Sequence, residues 1–311
     1  EKDTWKLIPG GKYFLIRNLS SIIIITIGEK ATKESTSFVV LGGHTDSPTL
    51  RFAPNAYLLD NTYEKYNLQL YGGGQWQTWF DRDLGLAGKV VVENKALGKL
   101  ETKLFKINDP ILFIPNLPIH LWKNNENFYW NNEDHLKAIS SSTFFDEEDS
   151  KKDSELSTIE KKIGKKLAKL LSTEIATPVE DIFDYNMVLY DTNQAKFIGI
   201  QKEFISNSRF DNLGTSISGV YSMLESLPHL KESSNINICS LFDSEEVGSM
   251  TYQGAMSTFF RDTIQRIFIS TNFIESSKKQ ESSNDSQNHN AYFHAACGRS
   301  FILSTDMAHV Y

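Results

Sequence analysis

Cysteine is nearly absent from this 311-residue chain, with Cys239 and Cys297 as its two examples, each flanked by apolar or small residues. A disulfide framework is thereby excluded as the organising principle, and buried thiols in a reducing compartment are expected. No apolar run approaches the roughly 20 residues of a membrane-spanning helix. The chain opens on Glu1-Lys2-Asp3 rather than on a signal sequence. A sustained basic stretch interleaved with aromatic residues is also missing: Lys plus Arg number 32 against 39 Asp plus Glu, for a formal net charge of -7. Neither nucleic acid nor membrane is an expected partner, and a soluble, cytoplasmic protein is. An initiator methionine is lacking, and the chain stops at Tyr311 directly after a candidate catalytic loop. An internal piece of a longer protein is therefore expected.

What is present fits an interrupted α/β fold, and the length suits two domains of ordinary size. Residues 11–28, with the run Ser21-Ile22-Ile23-Ile24-Ile25, read as a hairpin or one bent strand, and Phe38-Val39-Val40-Leu41 as another strand before Gly42-Gly43-His44. Such β-branched runs suit strands buried on both faces. The glycine pair is expected to turn the backbone tightly and lift His44 out of the sheet edge. From about 60 to 203 short strand-like pieces, around 88–94, 102–107 and 185–190, indicate a mainly β module with one helical excursion. The excursion is Ser154–Leu171, where Leu156, Ile159, Ile163, Leu167 and Leu170 recur as a packing stripe. The charged stretch from Asp146 to Asp153 before it reads as a solvated loop. After Asp211 the α/β pattern returns: a helical stretch through Leu227, a buried strand at Ile236–Phe242, and a helix over Gly254–Ile269 with Met256, Phe260, Ile264 and Ile267 on one face. Residues 276–290 are polar enough to predict a mobile loop, and Phe301-Ile302-Leu303 a final strand.

Four short clusters stand at or beside the ends of these apolar runs: His44-Thr45-Asp46, Arg209-Phe210-Asp211-Asn212, Asp243-Ser244-Glu245-Glu246 and Ser304-Thr305-Asp306. That is where an α/β fold gathers its chemistry. Imidazole with several carboxylates is a ligand set for divalent zinc, cobalt or manganese, and spare carboxylates can bridge two ions and activate water. In an extended segment the adjacent Glu245 and Glu246 point in opposing directions, so one can bind a metal while the other accepts a proton. Each cluster alone has a plain structural explanation: a histidine satisfied by a loop carboxylate, a helix cap at Asp211, a turn cap at Asp306, a solvated acidic pair. Four such accidents at strand ends are less economical than one convergent site.

The chain also resembles the aspartyl aminopeptidases of the M18 metallopeptidase family. The resemblance is carried in family order by Leu7-Ile8-Pro9-Gly10-Gly11-Lys12-Tyr13-Phe14, Gly43-His44-Thr45-Asp46-Ser47-Pro48, Tyr71-Gly72-Gly73-Gly74, Thr78-Trp79-Phe80-Asp81-Arg82-Asp83-Leu84 and Ile114-Pro115-Asn116-Leu117. It continues through Ile119-His120-Leu121, Asp211-Asn212-Leu213, Phe242-Asp243-Ser244-Glu245-Glu246-Val247-Gly248-Ser249 and Ser304-Thr305-Asp306-Met307-Ala308-His309. It implies a zinc-peptidase-like α/β/α catalytic domain, at 1–59 and 204–311, interrupted by a β-rich dimerisation domain at 60–203. The implied activity is removal of N-terminal Asp or Glu from peptides at a site of two zinc ions, for which cobalt or manganese can substitute. Asp211 would bridge the metals, His44 and Asp306 would complete one side, Glu246 would hold the second ion, and Glu245 would be the general base. Asp46 would orient the imidazole, and His120 would reach the site of a neighbouring subunit. Assembly into dimers within a tetrahedral dodecamer is implied with it.

This chain departs from the family pattern in two places. Ser244 stands where the family usually has histidine before the paired glutamates. The family's second metal-binding histidine belongs to a region beyond the position of Tyr311, so no residue here receives that role. Two other readings stay open on the residues alone: a related amidohydrolase acting on another amide, and a noncatalytic peptide-binding or assembly subunit.

Overall fold

The computed structural model describes residues 5–60, 62–121, 130–145, 155–273 and 285–308. It divides into two compact units, one formed by Glu1–Ser47 with Arg209–Tyr311 and the other by Pro48–Ser208. Among the described residues no helix is long and apolar enough to cross a membrane.

The first unit begins with a hairpin of β1 (Lys12–Arg17) and β2 (Ser21–Ile27), paired antiparallel from Lys12 with Thr26 to Arg17 with Ser21. Asn18 and Leu19, both at φ 57°, reverse the chain in a sense that matches strand twist. β3 (Phe38–His44) follows, and it corrects one expectation. Gly42 and Gly43 do not turn the backbone, because parallel ladders keep them extended: Gly42 lies opposite Ser240 and Ser304, and Gly43 opposite Leu241. Their surroundings differ: a Cβ on Gly42 would meet only Leu303 O, at 3.9 Å, whereas Gly43 faces α3. A Cβ on Gly43 would stand 3.4 Å from Leu241 Cδ2 and 3.6 Å from both Asn212 Nδ2 and Ser216 Oγ.

The second unit holds β4 (Thr49–Leu59), β5 (Tyr63–Tyr71), β6 (Leu84–Asn94), β7 (Lys99–Leu112), β8 (Lys137–Ser142) and β9 (Ile182–Asp191) in one sheet of order β7-β6-β9-β4-β5-β8. All its pairings are antiparallel. Pro54, which has no N–H to give a ladder, falls in the irregularity of β4 between Phe52 and Tyr57. A separate hairpin joins β10 (Lys196–Ile198) to β11 (Phe204–Ser206). The helical excursion is two helices, α1 (Thr158–Ile163) and α2 (Lys165–Glu174), and not one. Gly164 at φ 77° breaks the run, and Tyr57 packs where its side chain would be. The stripe is therefore reset: Ile159, Ile163, Leu167, Ala168 and Leu171 are buried against the sheet, while Leu170 is exposed. Residues 146–154, read as a loop and the helix start, lie outside the described residues. β4 belongs to this sheet because it pairs with β5 and β9, so the unit starts at Pro48 rather than near residue 60.

The chain re-enters the first unit through α3 (Phe210–Glu225), β12 (Ile236–Phe242), α4 (Phe259–Ser270), α5 (Asp285–Gly298) and β13 (Phe301–Ser304). The completed mixed sheet has the order β1-β2-β12-β3-β13, with β12 and β13 both parallel to β3. Period-two alternation along β12 separates two apolar layers. Cys239 and Leu241 pack with Met223 and Val220 of α3. Ile236, Ile238 and Phe242 pack on the opposite face with Phe259, Ile267 and Phe268 of α4 and Ala296 of α5. This is an α/β/α arrangement. Both cysteines are free thiols, Cys239 buried and Cys297 partly so.

Two further expectations change here. The buried face of α4 is Phe259, Thr263 and Ile267, with Met256 exposed and ahead of the helix, because the chain turns at Gly254 before the helix starts. The polar stretch read as a loop to residue 290 runs into α5 from Asp285 on, and Phe293 and Ala296 anchor that helix to the α4 layer; residues 276–284 lie outside the described residues.

Gly219 sets how closely α3 approaches the sheet, since a Cβ there would stand 2.7 Å from Leu41 Cδ2 and 3.2 Å from Cys239 Sγ. Gly219→Val should cost about 1–3 kcal/mol by overpacking, read as a lowered thermal midpoint. Gly298→Ala, where a Cβ meets nothing within 4 Å, should leave the midpoint near wild type. Equal midpoints for wild type and Gly219→Val would contradict this packing.

Candidate metal centre

Parallel pairing fixes the site before any side chain is considered. His44 ends β3 opposite Phe242, the last residue of β12, and β13 ends at Ser304 on the other side of β3. The three carboxyl ends therefore lie side by side, where an open parallel sheet presents its ligands. Glu245–Val247 forms a short turn of 3-10 helix after β12, and Asp306 follows β13 by two residues. Asp211 stands at the start of α3, where Asp211 and Asn212 have non-helical backbone and are joined by a cis peptide.

His44 is buried and central. Its Nε2 lies 3.3 Å from Asp211 Oδ1, 3.6 Å from Asp306 Oδ1 and 3.9 Å from Glu245 Oε2. Its Nδ1 lies 3.0 Å from the backbone oxygen of Asp46 and 3.5 Å from Asp46 Oδ1. A carbonyl oxygen only accepts, so Nδ1 carries the proton and Nε2 is the nitrogen directed at the carboxylates. Ser216 Oγ donates to the His44 carbonyl at 2.6 Å and fixes the strand end beneath the ring.

Asp46 performs a second task. Its two carboxylate oxygens accept the backbone N–H groups of Glu245 and Glu246, each at 3.1 Å. One buried carboxylate therefore orients the imidazole and seats the glutamate turn. On the other side, Asn212 Nδ2 donates to the Thr305 carbonyl at 3.0 Å, and Thr305 donates through N and Oγ1 to the Gly42 carbonyl at 2.8 and 2.9 Å. Asn212 thus ties the residue after Asp211 to the residue before Asp306. Ser47 Oγ holds the Asp211 carbonyl at 2.5 Å.

Two ligand groups result. His44, Asp211 and Asp306 offer atoms within 4.8 Å of one another, and so do His44, Glu245 and Glu246. His44, Asp211, Glu246 and Asp306, read from sequence as metal ligands, are thus brought together, and Glu245 and Asp46, read as general base and support, lie beside them. His120 stands on the exposed turn Ile119–Leu121 of the second unit. Sequence reading had passed over Asn212, Thr305, Ser47 and Ser216 as site residues, although Asn212 and Thr305 sit inside the quoted motifs.

The electrostatics fit a divalent cation. Burial pushes Glu246 up, the Asp211 charge adds to it, and the nearby His44 offsets part of it, for a value of about 7. Burial acts to lower His44, but the hydrogen bond and charge of Asp46, with Glu245 behind them, outweigh it and hold the imidazole at about 9. Several carboxylates gathered on one imidazole draw protons in place of positive charge, and hard-to-intermediate ions with N and O preferences match this donor set.

Comparison with known proteins agrees. The family model described as Aminopeptidase I zinc metalloprotease (M18) matches residues 1–311. The chain belongs to the M18 family. A probable M18 family aminopeptidase 2 of Clostridium acetobutylicum is 36% identical over 314 residues, covering 99% of this chain and 64% of that protein. The aspartyl aminopeptidase of Dictyostelium discoideum is also 36% identical, over 330 residues, covering 99% of this chain and 65% of that protein. A cryo-EM structure of the Ape4 and Nbr1 complex superposes with a TM-score of 0.85 at 35% identity, covering 99% of this chain and 57% of that one. The chain thus spans less than two thirds of the length of these M18 relatives.

An ion held by His44 and Glu246 would need the first neutral and the second ionised, so its uptake would displace protons below about pH 9 from the first and below about pH 7 from the second. Zinc affinity should therefore rise from pH 6 to pH 8. Calorimetry in buffers of different ionisation enthalpy should show proton release on binding. PH-independent affinity with no proton release would contradict the assignment.

Proposed function

We propose that this chain carries most of an aspartyl aminopeptidase, which removes N-terminal Asp or Glu from peptides at a centre of two zinc ions. The observation that carries the reading is the convergence of His44, Asp211, Asp306, Glu245 and Glu246 at the carboxyl ends of β3, β12 and β13. The names of the M18 relatives, aspartyl aminopeptidase among them, support the substrate class.

In this reading Asp211, His44 and Asp306 hold one ion, and Glu246 with Asp211 holds the second. Bound zinc supplies Lewis acidity, which polarises a peptide carbonyl and makes water a better nucleophile. Glu245 projects from a turn whose backbone amides are held by Asp46, with half of its side chain open to solvent and Oε2 3.9 Å from His44 Nε2. That position suits a base that takes a proton from water and returns it to the leaving amine. Asp46 keeps the Nδ1 proton of His44 in place and so keeps Nε2 available for the ion. Cobalt or manganese would substitute with the same donors.

The second unit, with His120 exposed on it, would serve self-association, in dimers and in a dodecamer, with His120 reaching a neighbouring subunit's site. Cytoplasmic location completes the reading. Since the chain spans about two thirds of its relatives' length, the assay compares it with the product of the complete gene.

Peptides matched except for a first residue of Asp, Glu, Ala or Lys should be hydrolysed selectively when that residue is acidic. Glu245→Gln should lower kcat by about 100- to 10,000-fold while retaining metal. A folded, metal-bearing full-length protein that hydrolyses Ala or Lys peptides better, or none at all, would sink the assignment.

A further inference from the structure

A largely buried polar network lies at the root of the glutamate turn. Asp243 follows β12 and its Oδ2 accepts Ser20 Oγ at 2.7 Å and Gln253 Nε2 at 3.0 Å. Its Oδ1 accepts the backbone N–H of Ser244 at 2.8 Å, and its own N–H donates to Ser21 Oγ at 2.8 Å. Ser21 Oγ donates to the Gln253 carbonyl at 2.8 Å. Gln253 Nε2 also donates to Ser244 Oγ at 3.2 Å, and the Ser244 carbonyl accepts Ser249 N at 2.7 Å.

Ser244 is the point where this network meets the metal turn. It is buried, and its backbone is left-handed at φ 70°, a conformation that a non-glycine residue adopts only when its surroundings impose it. It directly precedes Glu245 and Glu246. The side chain of Gln253 bonds both to Ser244 and to the Asp243 carboxylate. Asp46 grips the turn from its amides; the bridge from Gln253 grips it from its root.

We propose that Gln253 is a positioning residue for the Glu245–Glu246 turn, acting through Asp243 and Ser244 to aim Glu246 at its ion and Glu245 at water. This rests on the metal-centre reading above. No contact of Gln253 with substrate or metal is involved. Its amide supplies two donors to a partly buried carboxylate and a buried hydroxyl, and loss of both would leave those acceptors short of partners and free the turn to shift. A misaimed ligand one shell out costs metal affinity in the way that other supports of metal ligands do.

The test uses the full-length protein and Gln253→Met, which keeps the length of the side chain and deletes its donors. Zinc is titrated in competition with a chelator, and the Glu246-dependent ion is identified as the one lost in Glu246→Gln. Gln253→Met should weaken that ion by about 10- to 100-fold, with a smaller effect on the ion held by His44, Asp211 and Asp306. The metal-free variant should stay folded with a lowered thermal midpoint, and kcat on an acidic peptide should fall while KM holds. Should Gln253→Met fail to fold, Ser20→Ala removes another donor to the same Asp243 oxygen from a half-buried position and should weaken the same ion in the same direction. Wild-type affinity and kcat in a folded variant, or a wild type with no Glu246-dependent ion, would overturn the proposal. A wild type that binds the ion, loses it in Gln253→Met and hydrolyses no acidic peptide would retain the positioning role and remove the aminopeptidase reading instead.

Discussion

Parallel pairing of β12 and β13 on the two sides of β3 is the constraint on which the site depends. It aligns three chain ends that are far apart in sequence, so that His44, the Glu245 turn and the Asp306 loop emerge at one edge. The helix α3 then brings Asp211 over the same edge, at a distance set by the small residue Gly219. Apolar packing on both faces of this sheet holds the frame, with Ile23, Ile25, Ile236 and Ile238 fully buried on one and Cys239 and Leu241 buried on the other. Burial of such side chains contributes about 1.5–3 kcal/mol each, which is ample to support a site whose own charges repel.

That repulsion is what the arrangement is organised around. A buried imidazole surrounded by carboxylates is costly unless positive charge is supplied, and the metal-free protein meets the cost by taking up protons at Glu246 and His44. Asp46 differs from its neighbours because it spends both oxygens on backbone amides and stays beside Nδ1 rather than Nε2. The same residue type at Asp211 and Asp306 stays half open and faces Nε2. Identical carboxylates are thus divided between one that supports the turn and two that stay open beside Nε2, by the hydrogen bonds that their backbone position allows.

The strands and the four clusters were legible in the sequence because β-branched runs have a short period and end in residues with no apolar purpose there. The resemblance to the M18 family then assigned roles that spacing alone left open. Where the reading went astray, a local rule had met a tertiary contact. Gly42-Gly43 looked like a turn, but two ladders hold it extended. The stripe from Leu156 to Leu170 assumed an unbroken helix, whereas Gly164 at φ 77° resets its phase. α5 carries too little apolar periodicity over Asp285–Asn290 to be read as a helix, and it is fixed by Phe293 and Ala296 further along. Gln253 had no sequence signal at all: its role comes from distances to Asp243 and Ser244 that only the folded loop creates.

The most direct measurement is anomalous diffraction at the zinc edge from crystals of the full-length protein grown with zinc. The account predicts one peak within ligand distance, about 2.0–2.2 Å, of His44 Nε2 and the carboxylates of Asp211 and Asp306, and a second beside Glu246. Peaks confined to other parts of the molecule, with His44 Nε2 bonded to protein alone, would contradict it.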